Sequence, residues 1–537
     1  MDCSTSLISY EQTGQFKKII TDYISGVKTL EPFYAFPVTE EGVEKAIEER
    51  KKHPVDRGLL TRFLKSQYAS LEIKDAVTSN IELLAKENTF SIVTAHQPNI
   101  FTGHLYFVYK ILHVVRLASY FSRKYPQYKF VPVFYMGSED ADLEELGHIY
   151  LHGEKLAWET KQKGAVGRMK TDGLSALIDR MEGELTVHPF GPELIGMLRE
   201  FYRDGETVQQ ATFRFVHELF GDFGVVTLVP DDADLKRAMI PIFEDDLLRQ
   251  QASGIVENSI RNLGAHYKVQ AQPREINLFY LKDDIRERIV RTGNIWRLAE
   301  TDLSFSEAEI IQELHAHPER FSPNVILRGM FQEILLPDIA FVGGGGETAY
   351  WLELKDLFDH YGVFFPMLIL RNSFLFIEDR WAERINLLNL DNPALFRTKD
   401  ELLKALVAEK SSNSLDLQPQ RDEIERIYQT LANQAKAVDI TLERHVEHLK
   451  TQALNRVNIL QQKMMRAEKL KFQAESRQIA QLKEHLFPAN GLQERTENVL
   501  PYYAKYGKDF LRMIYDNSTA LEQQFIILTE QKKARIL

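Results

Sequence analysis

Five short runs of β-branched and aromatic residues constrain this chain most, because each closes on glycine or on polar side chains. They are Phe90–Ala95, Phe130–Met136, Val225–Val229, Ile339–Val342 and Pro366–Leu370. Apolar runs this short, bounded by turn residues, are read as buried strands. Between the first two lie a loop, HQPNIFTGH, and then Leu105–Tyr120, whose apolar residues fall at helical spacing. Strand, loop, helix, strand is a βαβ unit, and its parallel strands need a right-handed crossover. The predicted fold is therefore α/β, an open parallel sheet whose ligands bind outside the carboxyl ends of the strands.

The stretch from about 150 to 335 is less regular and reads as inserted subdomains. Within it, Asn277–Lys282 and Ile289–Arg291 fit a small hairpin. Residues 1–88 read as short helices joining the core, and 89–380 as the catalytic core with its insertions. From Gln420 to Phe487 there is neither glycine nor proline. Apolar residues there step by 3, 4 and 4 from Ile424 to Ala453, an eleven-residue period that favours a nearly straight or slightly right-handed coiled coil. Residues 381–490 are thus a coiled-coil domain, either one long coil or a helical hairpin turning near Asn455. Residues 491–537 read as helices packing back on the core.

Composition excludes several classes. The 537 residues carry a net charge of -11 and are 44% hydrophobic, which is globular and argues against a chain that wraps nucleic acid. Between Gln420 and Phe487, 12 Lys and Arg stand against 9 Asp and Glu, and the basic side chains Lys463, Arg466, Lys469, Lys471 and Arg477 read as a solvated coiled-coil face. No apolar run reaches the roughly 18 residues of a membrane span. The single cysteine, Cys3, excludes an intramolecular disulfide and lies near an end expected to be mobile. One thiol and no export signal fit the reducing cytoplasm.

Three loops carry candidate chemistry. In the first, Gln97, Gly103, His104, Tyr106 and Lys110 surround a helix start, where free backbone N–H groups attract phosphate or carboxylate. Gly103 would admit a ligand to the backbone, and His104 would donate to a developing negative charge; alternatively they make a turn and a helix cap. The second loop holds Glu139, Asp140 and Asp142, able to hold an ammonium group, act as base or take Mg²⁺, or simply to suit a helix N-terminus. The third is Gly343, Gly344, Gly345, Gly346 and Glu347, followed by Tyr350 and Trp351. Four glycines after a strand suggest close backbone approach to a ligand, but the pattern is neither GxxxxGK(S/T) nor GxGxxG. Arg328, near Asn324, is a candidate carboxylate clamp; Arg371 and Ser373 close the last strand.

Taken together, TAHQPNIFTGHLYFVYK (94–110), VPVFYMGSEDAD (131–142), SPNVILR (322–328), LPDIAFVGGGGETAYWLEL (336–354) and LFPANGLQER (486–495) resemble the BshC family of bacillithiol biosynthesis along nearly the whole chain. The resemblance implies a Rossmann-like core related to nucleotidylyltransferases and a coiled coil that supports a homodimer. It implies a ligase that joins the carboxyl of cysteine to the amino group of glucosaminyl-malate. On that reading Gly103, His104 and Lys110 face the activated acyl group, and Glu139, Asp140 and Asp142 hold or deprotonate the amine. Arg328 or Arg371 holds the malyl carboxylates, and the glycine loop meets the sugar or a nucleotide. The cofactor stays open: an adenylate or acyl-phosphate would make ATP, with Mg²⁺, the energy source, but no complete ATP motif is present. The sequence departs from many relatives where it has Ala141 in the acidic loop and Thr102-Gly103-His104 in the first loop. The competing readings are a nucleotidylyltransferase acting on a small molecule and a coiled-coil scaffold with a ligand-binding body.

Overall fold

The computed structural model describes residues 2–411, 413 and 415–531. The chain forms two compact units, Met1–Phe376 with Gly491–Leu537, and Ile377–Asn490.

The first unit is built on five parallel strands: β1 (Thr89–His96), β2 (Lys129–Met136), β3 (Val226–Leu228), β4 (Asp338–Gly343) and β5 (Met367–Leu370). Their order across the sheet is β5-β4-β1-β2-β3. All five coincide with the apolar runs. β1 and β2 pair from Thr89 with Lys129 to His96 with Met136, while β4 slips register against β1 between Asp338 and Ala340. Helix α1 (Leu105–Lys124) packs Val114, Leu117 and Phe121 against Phe90, Ile92, Phe130 and Ile339. Arg123 and Lys124 suit its negative dipole end, and Pro126 follows where no helix can continue. The chain builds outward from β1 to β3, then returns to lay β4 on the other side of β1. Reversal of the order there opens a crevice at the carboxyl ends of β1 and β4, where such sheets bind ligands.

The insertion is larger than the predicted hairpin. Leu278–Lys282 and Ile285–Thr292 do pair, with Phe279 opposite Arg288, but they belong to a five-stranded antiparallel sheet. The termini also differ from expectation. Cys3–Ile8 is a strand paired with Phe525–Glu530, so the chain's first residues are held in a sheet and the last described ones are not helical. The Cys3 thiol donates to Met513 Sδ at 3.1 Å, and burial raises its pKa to about 11. The segment after the glycine loop forms two helices, α3 (Gly345–Trp351) and then Lys355–Tyr361. Among the described residues no helix is long and apolar enough to cross a membrane.

The second unit is helical, dominated by α4 (Gln418–Val438) and α5 (Leu442–Lys469). They form an antiparallel hairpin: Arg421 donates to Gln461 at 2.6 Å at one end, and Lys436 pairs with Glu443 at 3.0 Å at the other. The reversal therefore lies at Asp439–Thr441 and not near Asn455. Asp439 is extended, and its carboxylate accepts from Thr441 N and Oγ1 at 2.8 Å, an arrangement that competes with helix. Much of the eleven-residue stripe is open to solvent, with Ile427 52% and Val438 82% exposed. Of the basic face, Lys469 pairs with Asp400 and Lys471 with Glu468.

Candidate active site

Two strained residues shape the first loop. Phe101 and Thr102 have φ of 51° and 68°, a region non-glycine residues avoid, and Gly103 follows at 64°. Asn498 holds them, donating from Nδ2 to Phe101 O at 3.0 Å and to Gly103 O, while Phe101 N donates to Tyr202 Oη at 3.1 Å. A Cβ on Gly103 would lie 2.8 Å from Asn99 Cβ, so glycine is required for packing as well as for φ. The helix-start amides are already engaged: Leu105 N donates to Glu497 O at 2.7 Å and Gly103 N to Ile100 O at 3.0 Å. The turn reading of Gly103 thus has a direct geometric basis, and the phosphate reading loses two donors.

His104 is tied down by its first ring nitrogen. Its Nδ1 lies 3.2 Å from Thr496 O, and a carbonyl only accepts, so Nδ1 carries the proton. Burial holds the ring's pKa below the usual histidine value, with His148 adding to the effect. A neutral ring protonated at Nδ1 offers a lone pair at Nε2. In that tautomer Nε2 accepts a hydrogen bond or a proton.

Lys110 and Glu347 meet at the switch point. Lys110 Nζ donates to both Glu347 oxygens, at 2.9 and 2.7 Å, and to Ala95 O at 2.5 Å. The lysine is only 2% exposed, whereas Glu347 is 29% exposed. Glu347 also accepts from Gly344 N at 2.8 Å, which fills the start of α3 with a carboxylate. Gly343 is close-packed against Phe341 and Glu347, Gly345 lies against Ile20, and Gly346 faces open space. Only the last of these lines the cleft, beside Tyr350.

Next to this pair, Tyr106 lies with its hydroxyl 3.2 Å from His96 Nε2 and its ring under the Arg371 guanidinium. His96 is half-buried, its buried Nδ1 has no hydrogen-bond partner, and desolvation drives its pKa well below the ordinary value. Arg371 is not a free clamp. Its guanidinium is 4% exposed and donates to Glu494 Oε1 at 2.7 Å, to Asn372 O and to Ser373 Oγ at 3.0 Å. Glu494 also accepts from Phe374 N at 3.2 Å, and Gln493 accepts from Phe376 N at 3.0 Å, so these two side chains brace the segment that follows Arg371.

The open chemistry lies in a cleft of about 480 Å³ lined by Asp140, Gln270, Arg274, Phe279, Arg286, Asn324, Arg328, Gly346 and Tyr350. Arg328 begins helix α2 (Arg328–Leu335), and Asn324 sets that start by accepting Arg328 N on its carbonyl at 2.9 Å. A Cβ on Gly137, after β2, would sit 3.4 Å from Arg328 Nη1, so glycine leaves room for the guanidinium. Arg328 Nη1 is 3.8 Å from Asp140 Oδ2, and Gln97 donates to the same oxygen at 3.3 Å. Burial raises the Asp140 pKa, but Arg328, Arg286 and Gln97 outweigh it and keep the carboxylate ionised below its usual value.

Glu139 and Asp142 diverge from Asp140. Glu139 is bonded by buried Lys236 and by Ser322 Oγ at 2.9 Å, while Arg168 grips Asp231 bidentately at 2.7 and 2.5 Å beside it. Asp142 caps the short helix Leu143–Leu146, accepting Glu145 N at 3.0 Å. So Asp140, Arg328, Gln97, Gly346 and Tyr350 converge; Lys110, Glu347, Tyr106, Arg371 and Ser373 support; Asp142 does neither. The residues missed from sequence are Arg286, Lys236 and Arg168. Arg286 stands on an inserted strand whose pattern carried no signal.

The family comparisons match both units. Residues 1–372 match the model described as the N-terminal Rossmann-like domain of bacillithiol biosynthesis BshC, and residues 374–530 its C-terminal coiled-coil domain. A protein of Flavobacterium johnsoniae named "Putative cysteine ligase BshC" is 38% identical over 98% of this chain and 99% of its own length. Proteins of the same name from Salinibacter ruber and Bacillus anthracis are 31% and 24% identical, over 93% and 95% of this chain and 93% and 96% of theirs. With a Rossmann-like sheet, a helical hairpin, both family domains matched and 38% identity to one relative over nearly its full length, the chain belongs to the BshC family of bacillithiol biosynthesis.

Proposed function

We propose that this protein is the ligase that joins the carboxyl of cysteine to the amino group of glucosaminyl-malate, forming the amide of bacillithiol. The observation that carries this reading is the charge of the cleft. Guanidinium groups from Arg328, Arg286 and Arg274 line it around a single ionised carboxylate, Asp140. An acceptor with two carboxylates and one ammonium group is complementary to that set.

The chemistry then divides among residues of this chain. Arg328 binds the malyl end, and Asp140 orients the amine. The amine must lose a proton before it attacks, and His104, neutral with a free Nε2 on the loop that Gln97 ties to Asp140, is the base. In the balanced step a carbon–nitrogen bond forms, the proton goes to His104, and the activating group leaves the cysteine carboxyl. Activation requires a nucleoside triphosphate or an already activated cysteine, since a free carboxylate does not condense in water. The starts of α1 and α3 fit a nucleotide phosphate poorly, because Glu497 O and Glu347 already take their amides. We also propose a homodimer formed through the open stripe of α4 and α5, and a cytoplasmic location for a chain with one free thiol.

The deciding experiment is mass spectrometry of purified protein incubated with glucosaminyl-malate and cysteine, with and without ATP and Mg²⁺. Bacillithiol formed in either arm supports the ligase, and the ATP arm identifies the activating group. Pyrophosphate release without consumption of cysteine would overturn it in favour of nucleotidyl transfer.

A further inference from the structure

Arg286 has surroundings that a purely structural arginine does not need. It stands on the inserted strand Ile285–Thr292, with its guanidinium over the Phe279 ring at 3.8 Å from the centroid. Its Nε is buried and has no hydrogen-bond partner. Native folds rarely leave such a donor unmet, and a ligand acceptor is one of the few explanations. Arg286, Arg328 and Asp140 line both the cleft and a recess of about 20 Å³ beneath it, where the Ser138 hydroxyl is also unpartnered. One carboxylate thus serves two guanidiniums, and loosely, since Arg328 approaches it only to 3.8 Å. Glu139, the other acidic group of the recess, is taken by Lys236 and Ser322. Positive charge in the cleft exceeds what the protein itself neutralises.

We propose that Arg286 and Arg328 form a two-point clamp for a small dicarboxylate, one guanidinium to each carboxylate, and that Arg286 makes the site specific for it. The identity of that dicarboxylate as the malyl group rests on the ligase reading; the clamp itself does not. Planar carboxylates match planar guanidinium forks bidentately. A compact phosphate centred on the pair would also meet Asp140, whereas two carboxylates on a short carbon chain each take one arginine. Phe279 fixes the plane of the Arg286 fork, so the inserted sheet acts as the acceptor-reading module of the core.

The test uses the full chain, with L-malate as probe in isothermal titration and glucosaminyl-malate in steady-state kinetics. Arg286→Gln is expected to weaken malate binding by about tenfold or more and to raise KM for glucosaminyl-malate similarly, with kcat changed little, because a bidentate charged contact is lost. Arg286→Lys recovers only part, since an ammonium has no fork. Phe279→Leu, which keeps every charge, is expected to give an intermediate loss and serves if Arg286→Gln fails to fold. Malate affinity equal to wild type in folded Arg286→Gln would overturn the clamp, and so would a fall in kcat alone. If wild type makes no bacillithiol yet binds malate through Arg286, the ligase reading fails and the clamp stands. If wild type makes bacillithiol and Arg286→Gln leaves KM unchanged, the clamp fails and the ligase stands.

Discussion

Lys110 Nζ reaches both carboxylate oxygens of Glu347, at 2.9 and 2.7 Å, across the crevice where the strand order reverses. The two partners are unequally buried, and this sets an asymmetry. Glu347→Gln leaves a buried ammonium without its counter-charge and is expected to cost about 3–5 kcal/mol of stability. Lys110→Met leaves a carboxylate that water and Gly344 N still reach, so its cost is roughly 1–2 kcal/mol. Denaturant unfolding of both variants measures the difference; equal losses would mean that the pair is solvated alike on both sides.

Two arginines predicted as equivalent clamps are expected to separate by assay. Arg371 and Glu494 are 4% and 0% exposed, so Glu494→Gln strands a buried guanidinium and costs about 3–5 kcal/mol. Arg328 is 31% exposed and only 3.8 Å from Asp140, so Arg328→Gln changes stability by less than about 1 kcal/mol. Arg328→Gln nevertheless loses affinity for the acceptor. Melting curves beside KM values for glucosaminyl-malate check both halves of the statement.

The contribution of a buried carboxyl pair to stability is expected to fall as pH rises from about 4.5 towards 7. Burial raises the pKa of Glu333 to about 7, against an offsetting pull from Arg50, and Asp338 beside it is raised well above its usual value. Between the unfolded value near 4.5 and about 7 the native state holds a proton that the unfolded chain has released. Stability from this group is therefore greatest at the acid side of that window and lost across it. Glu333→Gln removes one of the two titrating groups and should flatten the slope. Unfolding free energies at several pH values from 5 to 8 test this; an unchanged slope in the variant assigns it elsewhere.

The stripe on α4 and α5 gives an oligomer prediction. Ile427 and Val438 are exposed in a single chain, so Ile427→Asp with Val438→Asp should shift a dimer to monomer without unfolding either unit. Light scattering with far-UV circular dichroism checks it. A wild-type monomer at micromolar concentration would remove the dimer from the proposal.

What the sequence revealed depended on whether the signal was local. The five strands were legible because Phe90–Ala95 and its counterparts are short, apolar and bounded by turn residues. Gly103 was legible for the same reason. The hairpin reversal was not, because Val438 and Leu442 keep the apolar step across Asp439, whose side-chain bonds to Thr441 alone mark the break. Arg371 and Glu494 lie 123 residues apart, and no spacing rule pairs them. The tautomer of His104 was not legible either, since it is set by the carbonyl of Thr496, 392 residues away.

That tautomer makes the last prediction. With Nδ1 donating to Thr496 O, catalysis by His104 uses the Nε2 lone pair. Asn at position 104 places an amide where Nδ1 was and nothing where Nε2 was. His104→Asn is therefore expected to keep the loop and its stability while lowering kcat by roughly 10²–10⁴-fold, the range for loss of a general base. The pH profile follows from the direction of the shift. The ring's pKa lies below 6.5, so Nε2 is free at neutral pH and the rate falls only on the acid side, as protonation removes the lone pair. The acid limb of kcat/KM should disappear in His104→Asn. Its survival there, with the loop intact, would transfer the proton to another group.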